Sequence, residues 1–136
     1  RLYYNLLVIF VMKRNAVIIA TGTKYNICCD ISLLPIFFNY VMKDEKHRKE
    51  IKIIFSQILE GLRTKKYGNE PFGTKSMKPF KNRENDRIIC NVTKRSNQRQ
   101  CIVMSEIYLQ KKSDNVSKVL NNRYKIVSHY EYEIIE

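Results

Sequence analysis

The apolar positions between Asp44 and Lys66 recur every three or four residues. Ile51, Ile54, Phe55, Ile58 and Leu62 form one stripe, while Glu45, Lys46, Arg48, Lys49 and Lys52 lie mostly on the other side. This spacing predicts an amphipathic helix that begins at Asp44 and ends at Gly61 and the Lys65-Lys66-Tyr67-Gly68 cluster. The run LLPIFFNYVM (33–42) predicts a preceding helix, with Ser32 as its cap and Pro35 in the first turn, where a missing N–H is tolerated. Upstream, KYNICCDI (24–31) has the length and composition of a short strand.

The second half changes period. RIICNV (87–92) and CIVMSEIYLQ (101–110) are apolar runs around a polar turn, which predicts a β-hairpin. In its second strand Cys101, Val103, Ser105, Ile107 and Leu109 share the face expected to meet the core. Ile102, Met104, Glu106 and Tyr108 share the other, expected to bind. Ser113 or Asp114 can cap a short helix carrying Val116, Val119 and Leu120. YKIVSHYEYEIIE (124–136) alternates as a strand expected to pair with the hairpin. Residues 67–86, with two of the three prolines, read as an ordered loop. The predicted fold class is α+β: a leading strand, a helical hairpin, then an antiparallel sheet.

Residues 24–136 read as a single domain, and residues 1–23 as an N-terminal extension of uncertain status. LYYNLLVIFVM is apolar except for Asn5, Lys13-Arg14-Asn15 interrupts, and AVIIA follows. Neither run reaches the roughly 18 residues of a membrane span. Three readings stand open for this segment: the leading edge of a fragment, an added strand, or translated upstream sequence with Met12 as the start.

Charge changes the picture most. Twenty-five Lys and Arg face 13 Asp and Glu in 136 residues, a formal net charge of +12. Between Arg63 and Arg99 stand 11 cations and three acids (Glu70, Glu84, Asp86), so this tract holds +8 of the total. A small basic domain meets nucleic acid, an acidic protein or an anionic membrane, and nucleic acid is the commonest partner. The loop KPFKN and its continuation bring Lys78, Lys81, Arg83 and Arg87 to the mouth of a strand. Arg95 and Arg99 follow in the next turn, and Lys111 and Lys112 after the second strand. These are the candidate nucleic-acid-binding residues, set against a bland reading as solvated loops.

Cys28, Cys29, Cys90 and Cys101 form no Cys-x-x-Cys pair, and with only two histidines no zinc pattern assembles. They read as reduced, buried thiols, with Cys28 and Cys29 on opposite strand faces so that one of them is buried. A cytoplasmic location is the expectation. Asn91-Val92-Thr93 and Asn115-Val116-Ser117 match the glycosylation sequon and are taken as chance matches.

In the order of its parts the chain resembles the RelE/ParE superfamily of small bacterial toxins, with its RelE, YoeB and HigB branches. The helix KEIKIIFSQILEGL, the loop KPFKN, NDRIICNV with its arginine near the strand start, and YLQKKS carry the likeness, over roughly residues 24–113. Residues 1–23 have no counterpart there, and the tail beyond Lys112 is longer than such proteins need.

The resemblance implies a ribosome-dependent messenger-RNA endoribonuclease without metal or cofactor, neutralised by an acidic antitoxin. A ribose 2′-OH would attack the adjacent phosphate. On that reading Arg87 holds the scissile phosphate, Glu106 or His129 is the general base, and Tyr108 or Tyr130 stacks on a base or shares a proton. Each has a plainer reading: Arg87 paired with Asp86 or Glu84, Glu106 facing a cation across the sheet, and the tyrosines and histidine as ordinary strand residues. The alternative function is a non-catalytic nucleic-acid-binding module, of a mobile element for example.

Overall fold

A computed structural model describes residues 12–80, 86–94, 99–109 and 117–135. Its centre is a seven-stranded mixed sheet: β1 (Met12–Thr21), β2 (Tyr25–Asp30), β3 (Tyr67–Asn69), β4 (Lys75–Met77), β5 (Arg87–Lys94), β6 (Gln100–Tyr108) and β7 (Tyr130–Ile135). The strand order is β3-β4-β5-β6-β2-β1-β7. Helices α1 (Leu34–Met42) and α2 (Glu45–Leu59) follow β2, and α3 (Ser117–Ser128) lies between β6 and β7.

This architecture corrects the expected order of a leading strand, a helical hairpin and an antiparallel sheet. A strand, β1, precedes the one expected to lead, and it is antiparallel to β2. Two pairings are parallel, β2 with β6 and β1 with β7. The segment 124–136 is not one strand, and its strand does not join the β5–β6 hairpin. Leu120, Tyr124 and Val127, spaced four and three apart, are the buried stripe of α3, and only Tyr130–Ile135 is extended. That helical period lies under the alternation read from residues 124–134. Residues 67–86, expected to be a loop, include the short hairpin strands β3 and β4. Met12–Thr21, placed by the sequence in the extension, is a paired strand of the sheet.

Other elements follow the sequence. Asp44 caps α2, its carboxylate accepting the His47 N–H at 2.8 Å. Ile51, Ile54 and Ile58 face the core as the stripe requires, whereas Leu62 falls beyond the helix and is exposed. Gly61, at φ +73, ends α2 in the left-handed conformation that suits glycine. Pro35 sits in the first turn of α1, but Ser32 is not its cap. Asp30 instead caps the short 3-10 turn Ile31–Leu33 by accepting the Ser32 N–H. At Gly22, between β1 and β2, a Cβ would stand 2.7 Å from the Leu59 carbonyl oxygen, so glycine lets the end of α2 close on this turn.

The sheet is buried on both faces. On one, Ile27, Ile88, Cys90, Ile102 and Met104 meet Phe37 and Tyr40 of α1 and Ile51, Ile54 and Ile58 of α2. On the other, Ile89 packs against Leu120, Tyr124 and Val127 of α3, and Cys28, Cys101 and Val103 form a smaller cluster with Ala16. Cys28 and Cys29 do point to opposite faces, yet both are buried. None of the four cysteines forms a disulfide, and burial pushes the Cys29 thiol up to about 12.

The face expected to bind in β6 is corrected in the same way. Ile102 and Met104 belong to the larger core, opposite to expectation. A bulge at Ser105 shifts the register, pairing Ile89 with Glu106 and Cys90 with Met104. It returns Ile107 to the α1–α2 side and leaves Glu106 and Tyr108 on the α3 side.

Candidate nucleic-acid interface

A groove of about 550 Å³ opens where the chain leaves α2 and reaches the sheet. Arg63 comes from the segment after α2, Tyr67 and Asn69 from β3, Lys75 from β4, Gln100 from β6 and Tyr25 from β2. The β3–β4 register sets Asn69 opposite Lys75, and the Lys75 Nζ bonds the Asn69 Oδ1 at 2.6 Å. The same ammonium lies 5.4 Å above the centre of the Tyr67 ring. Among the described residues, no Asp or Glu side chain lines this groove. Exposed Lys65 and Lys94 and half-buried Arg99 neighbour it in the chain or across a strand, Lys94 pairing with Gln100. Arg63, Lys75, Asn69 and Gln100 thus line one cleft with Tyr25 and Tyr67, whose rings are half-buried against the core; cations, amides and aromatics together can grip phosphate and stack on bases.

The residues predicted from sequence lie elsewhere. Arg87 and Tyr108 are cross-strand partners, and Glu106, opposite Ile89, is diagonal to Arg87 on the α3 face. Tyr108 and Tyr130 pack against Ile89 and α3. The structure therefore brings Arg87, Glu106, Tyr108 and Tyr130 to one side of the sheet. His129 is exposed in the turn between α3 and β7, and its carbonyl accepts the Met12 N–H. Lys81, Arg83, Arg95, Lys111 and Lys112 lie outside the described residues.

The gathered groups are occupied by one another. Arg87 Nη1 donates to Glu70 Oε2 at 2.9 Å and to the Tyr124 hydroxyl at 3.1 Å, while Lys78 Nζ is 3.5 Å from Glu70 Oε1. The Ser76 hydroxyl reaches the same carboxylate at 3.3 Å. Arg87 is thus ion-paired, as one sequence reading held, but with Glu70 rather than Asp86; Glu84 lies outside the described residues. Asp86 is buried and accepts from the Tyr40 hydroxyl at 3.0 Å. Glu106 meets Arg123 at 3.1 Å; burial raises its carboxyl above the ordinary range, and Arg123 opposes this. Burial likewise raises Tyr130, whose ring carries the Arg14 guanidinium 4.6 Å from its centre.

Arg14 itself is bound to Asp30, with Nε 2.5 Å from Oδ2 and Nη2 3.3 Å from Oδ1. The Tyr132 hydroxyl donates to Asp30 Oδ2 at 2.7 Å and lies 2.9 Å from the Ser105 Oγ. Burial alone would raise the Asp30 carboxyl, but Arg14, Tyr132 and the Ser32 N–H overcome it and hold the group below its ordinary value. No set of three His, Cys, Asp or Glu residues able to hold a metal occurs among the described residues.

A second groove, about 340 Å³, lies beyond the tip of the β3–β4 hairpin and is lined by Phe72, Thr93, Ser128, Tyr130 and Glu131 among others. Phe72, in the turn Pro71–Gly73, has φ 63 and ψ 25 and is half exposed. A left-handed conformation costs an L-residue roughly 1–2 kcal/mol, and a bulky side chain there is an outlier. The turn is fixed around it. Glu70 N–H donates to the Thr74 carbonyl at 2.9 Å, and the Thr74 hydroxyl donates to the Pro71 carbonyl at 2.7 Å.

Sequence reasoning included Arg63 and Lys75 in the basic tract but not among site residues. Tyr25, Tyr67, Asn69 and Gln100 were missed because no periodicity links them; only strand order assembles them. No helix among the described residues is long and apolar enough to cross a membrane. No family model, curated protein or solved structure matches this chain.

Proposed function

We propose that the protein is a nucleic-acid-binding module that holds unpaired RNA or DNA in the groove between α2 and the β3–β4 hairpin. The observation that carries this reading is the composition of that cleft: Arg63 and Lys75 beside Tyr25 and Tyr67, with no carboxylate lining it among the described residues. A net charge of +12 adds long-range attraction for a polyanion. Buried Asp30 and half-buried Glu70 are each paired with an arginine, so neither stands as an open anion that would repel a phosphate.

Binding without cleavage is the form of the reading that the geometry favours. A phosphate at Arg87 would have to displace Glu70, and Glu106 already faces Arg123. One observation favours the endoribonuclease reading: Glu106, raised by burial, shares a sheet face with Arg87 and Tyr130. An acidic protein partner that competes for the basic surface fits either reading.

The test is binding of labelled single-stranded RNA across a salt series, with the products run on a denaturing gel. The wild-type protein binds, affinity falls with salt, and the RNA stays intact. In the double variant Arg63→Gln/Lys75→Gln the salt slope drops by about 1.4, two phosphate contacts at about 0.7 each for a single strand. An unchanged slope refutes the groove as the site. Cutting that Arg87→Ala abolishes would instead establish the ribonuclease.

A further inference from the structure

Phe72 occupies a backbone conformation that glycine takes readily, yet its ring is half in solvent. A residue held so is ordinarily compensated by burial of its side chain, and here burial is incomplete. The turn that carries it is nevertheless firmly anchored. Glu70, one residue before Pro71, is gripped by Arg87 and Lys78, and Thr74 closes the turn from the other side. Phe72 lines the 340 Å³ groove together with Thr93, Ser128, Tyr130 and Glu131, and the Ser128 hydroxyl donates to the Lys125 carbonyl.

We propose that Phe72 is a stacking platform for an unpaired nucleobase, whose polar edge meets Thr93, Ser128 and Glu131 in the groove behind the hairpin tip. The inference rests on the nucleic-acid reading above and gives it a direction. Asn69 and Lys75, the last paired residues of the β3–β4 hairpin, line the first groove, and Phe72 stands at the tip between them. On this proposal a single strand held at Arg63 and Lys75 continues around the tip to Phe72. A π-face is common to every base, so the platform accepts any of them. A duplex, with its bases already stacked, gains nothing from it.

The conformation also has a purpose on this account. A turn fixed before the ligand arrives loses less freedom on binding than a loose loop. The anchored Glu70 carboxylate explains why Arg87 sits so near a nucleic-acid surface without touching the strand: it positions the turn.

The test uses the full chain and separates base from phosphate. Each of the four uncharged ribonucleosides is titrated into ¹⁵N-labelled protein, and single-stranded and duplex RNA binding are measured in parallel. The expected result is a shift of the Gly73, Thr93 and Ser128 amides by at least one nucleoside, abolished in Phe72→Ala and retained in Phe72→Tyr. Phe72→Ala also weakens single-stranded RNA about tenfold and leaves duplex binding unchanged. Phe72→Gly, which relieves the backbone, separates loss of the ring from loss of the fold, because it remains folded while losing the nucleoside shifts. Absence of any nucleoside shift at the groove, or a Phe72→Ala protein that binds them as before, overturns the proposal. The two readings fail separately. Nucleoside shifts without an effect of Arg63→Gln/Lys75→Gln on RNA would discard the first groove, and the reverse pattern would discard only the platform.

Discussion

Asp30 and Glu70 are both carboxylates gripped by an arginine from a neighbouring part of the sheet, and they serve different ends. Asp30 is almost wholly buried and saturated: Arg14, Tyr132 and the Ser32 N–H all donate to it. It ties β1, β2, β7 and the start of the helical segment at one point. Glu70 lies at the edge of the sheet and is shared among Arg87, Lys78 and Ser76. Its cations are partly wet, and Arg87 Nε has no hydrogen-bond partner among the described residues. The first arrangement closes a core, and the second holds up a surface turn. An ion pair seen in isolation does not reveal its role; the depth of the acid and what its neighbours support do.

The contrast can be broken most strongly at Asp30. Asp30→Asn leaves Arg14 without its counter-charge, and loss of about 3–5 kcal/mol in denaturant unfolding is expected, the usual cost of removing one partner of a buried pair. The same acid contributes to the acid limb of stability. Its carboxyl is lowered in the fold, so the unfolded chain binds the proton more readily. Its contribution is present above the unfolded value, near 4, and disappears as pH falls through the lower folded value. Glu106, raised by burial, acts in the opposite sense and loses stability as pH rises through its folded value. Asp30→Asn should therefore flatten the fall in stability below about pH 4; an unaltered acid limb would show that other carboxylates control it.

A smaller effect is expected from Glu70→Gln, about 1–3 kcal/mol, because Arg87 and Lys78 then share a site without an anion but retain some solvent. Equal losses at Asp30 and Glu70 in the same urea titration would erase the distinction drawn here. Lys78→Gln is the mildest change. Its ammonium is 3.5 Å from Glu70 and about a quarter exposed, so about 0.2–1 kcal/mol is expected by thermal unfolding. A larger loss would make Lys78, rather than Arg87, the anchor of the turn.

Local signals in the sequence were sound where a single element decides the outcome. The α2 stripe, its Asp44 cap, Pro35 at the start of α1 and the β5–β6 hairpin all have their information within a short stretch. What was not legible depends on partners chosen across the chain. Nothing near Ile27 or Val17 announces that β2 lies parallel to β6, or β1 to β7. The three-residue strands β3 and β4 are too short to show alternation. The helix expected to carry Val119 and Leu120 is the start of α3, with Val116 and the cap candidates Ser113 and Asp114 outside the described residues, but an alternating set of residues from Tyr124 hid its second half. The same applies to the site. The basic tract was visible, yet which cations remain available follows from Glu70 reaching Arg87 across 17 residues. The groove needed five elements to be assembled before its residues shared anything.

The bond between the Tyr132 hydroxyl and Asp30 joins residues 102 positions apart, and it depends on β7 lying against β1. During synthesis, β1 and β2 emerge long before β6 and β7, their parallel partners. Until then the hairpin they form has two unpaired borders, with Arg14 and Asp30 already facing one another. The ion pair thus serves as an early clasp for a sheet whose remaining edges are supplied last. Such dependence on distant strands slows folding relative to a helical protein of equal length.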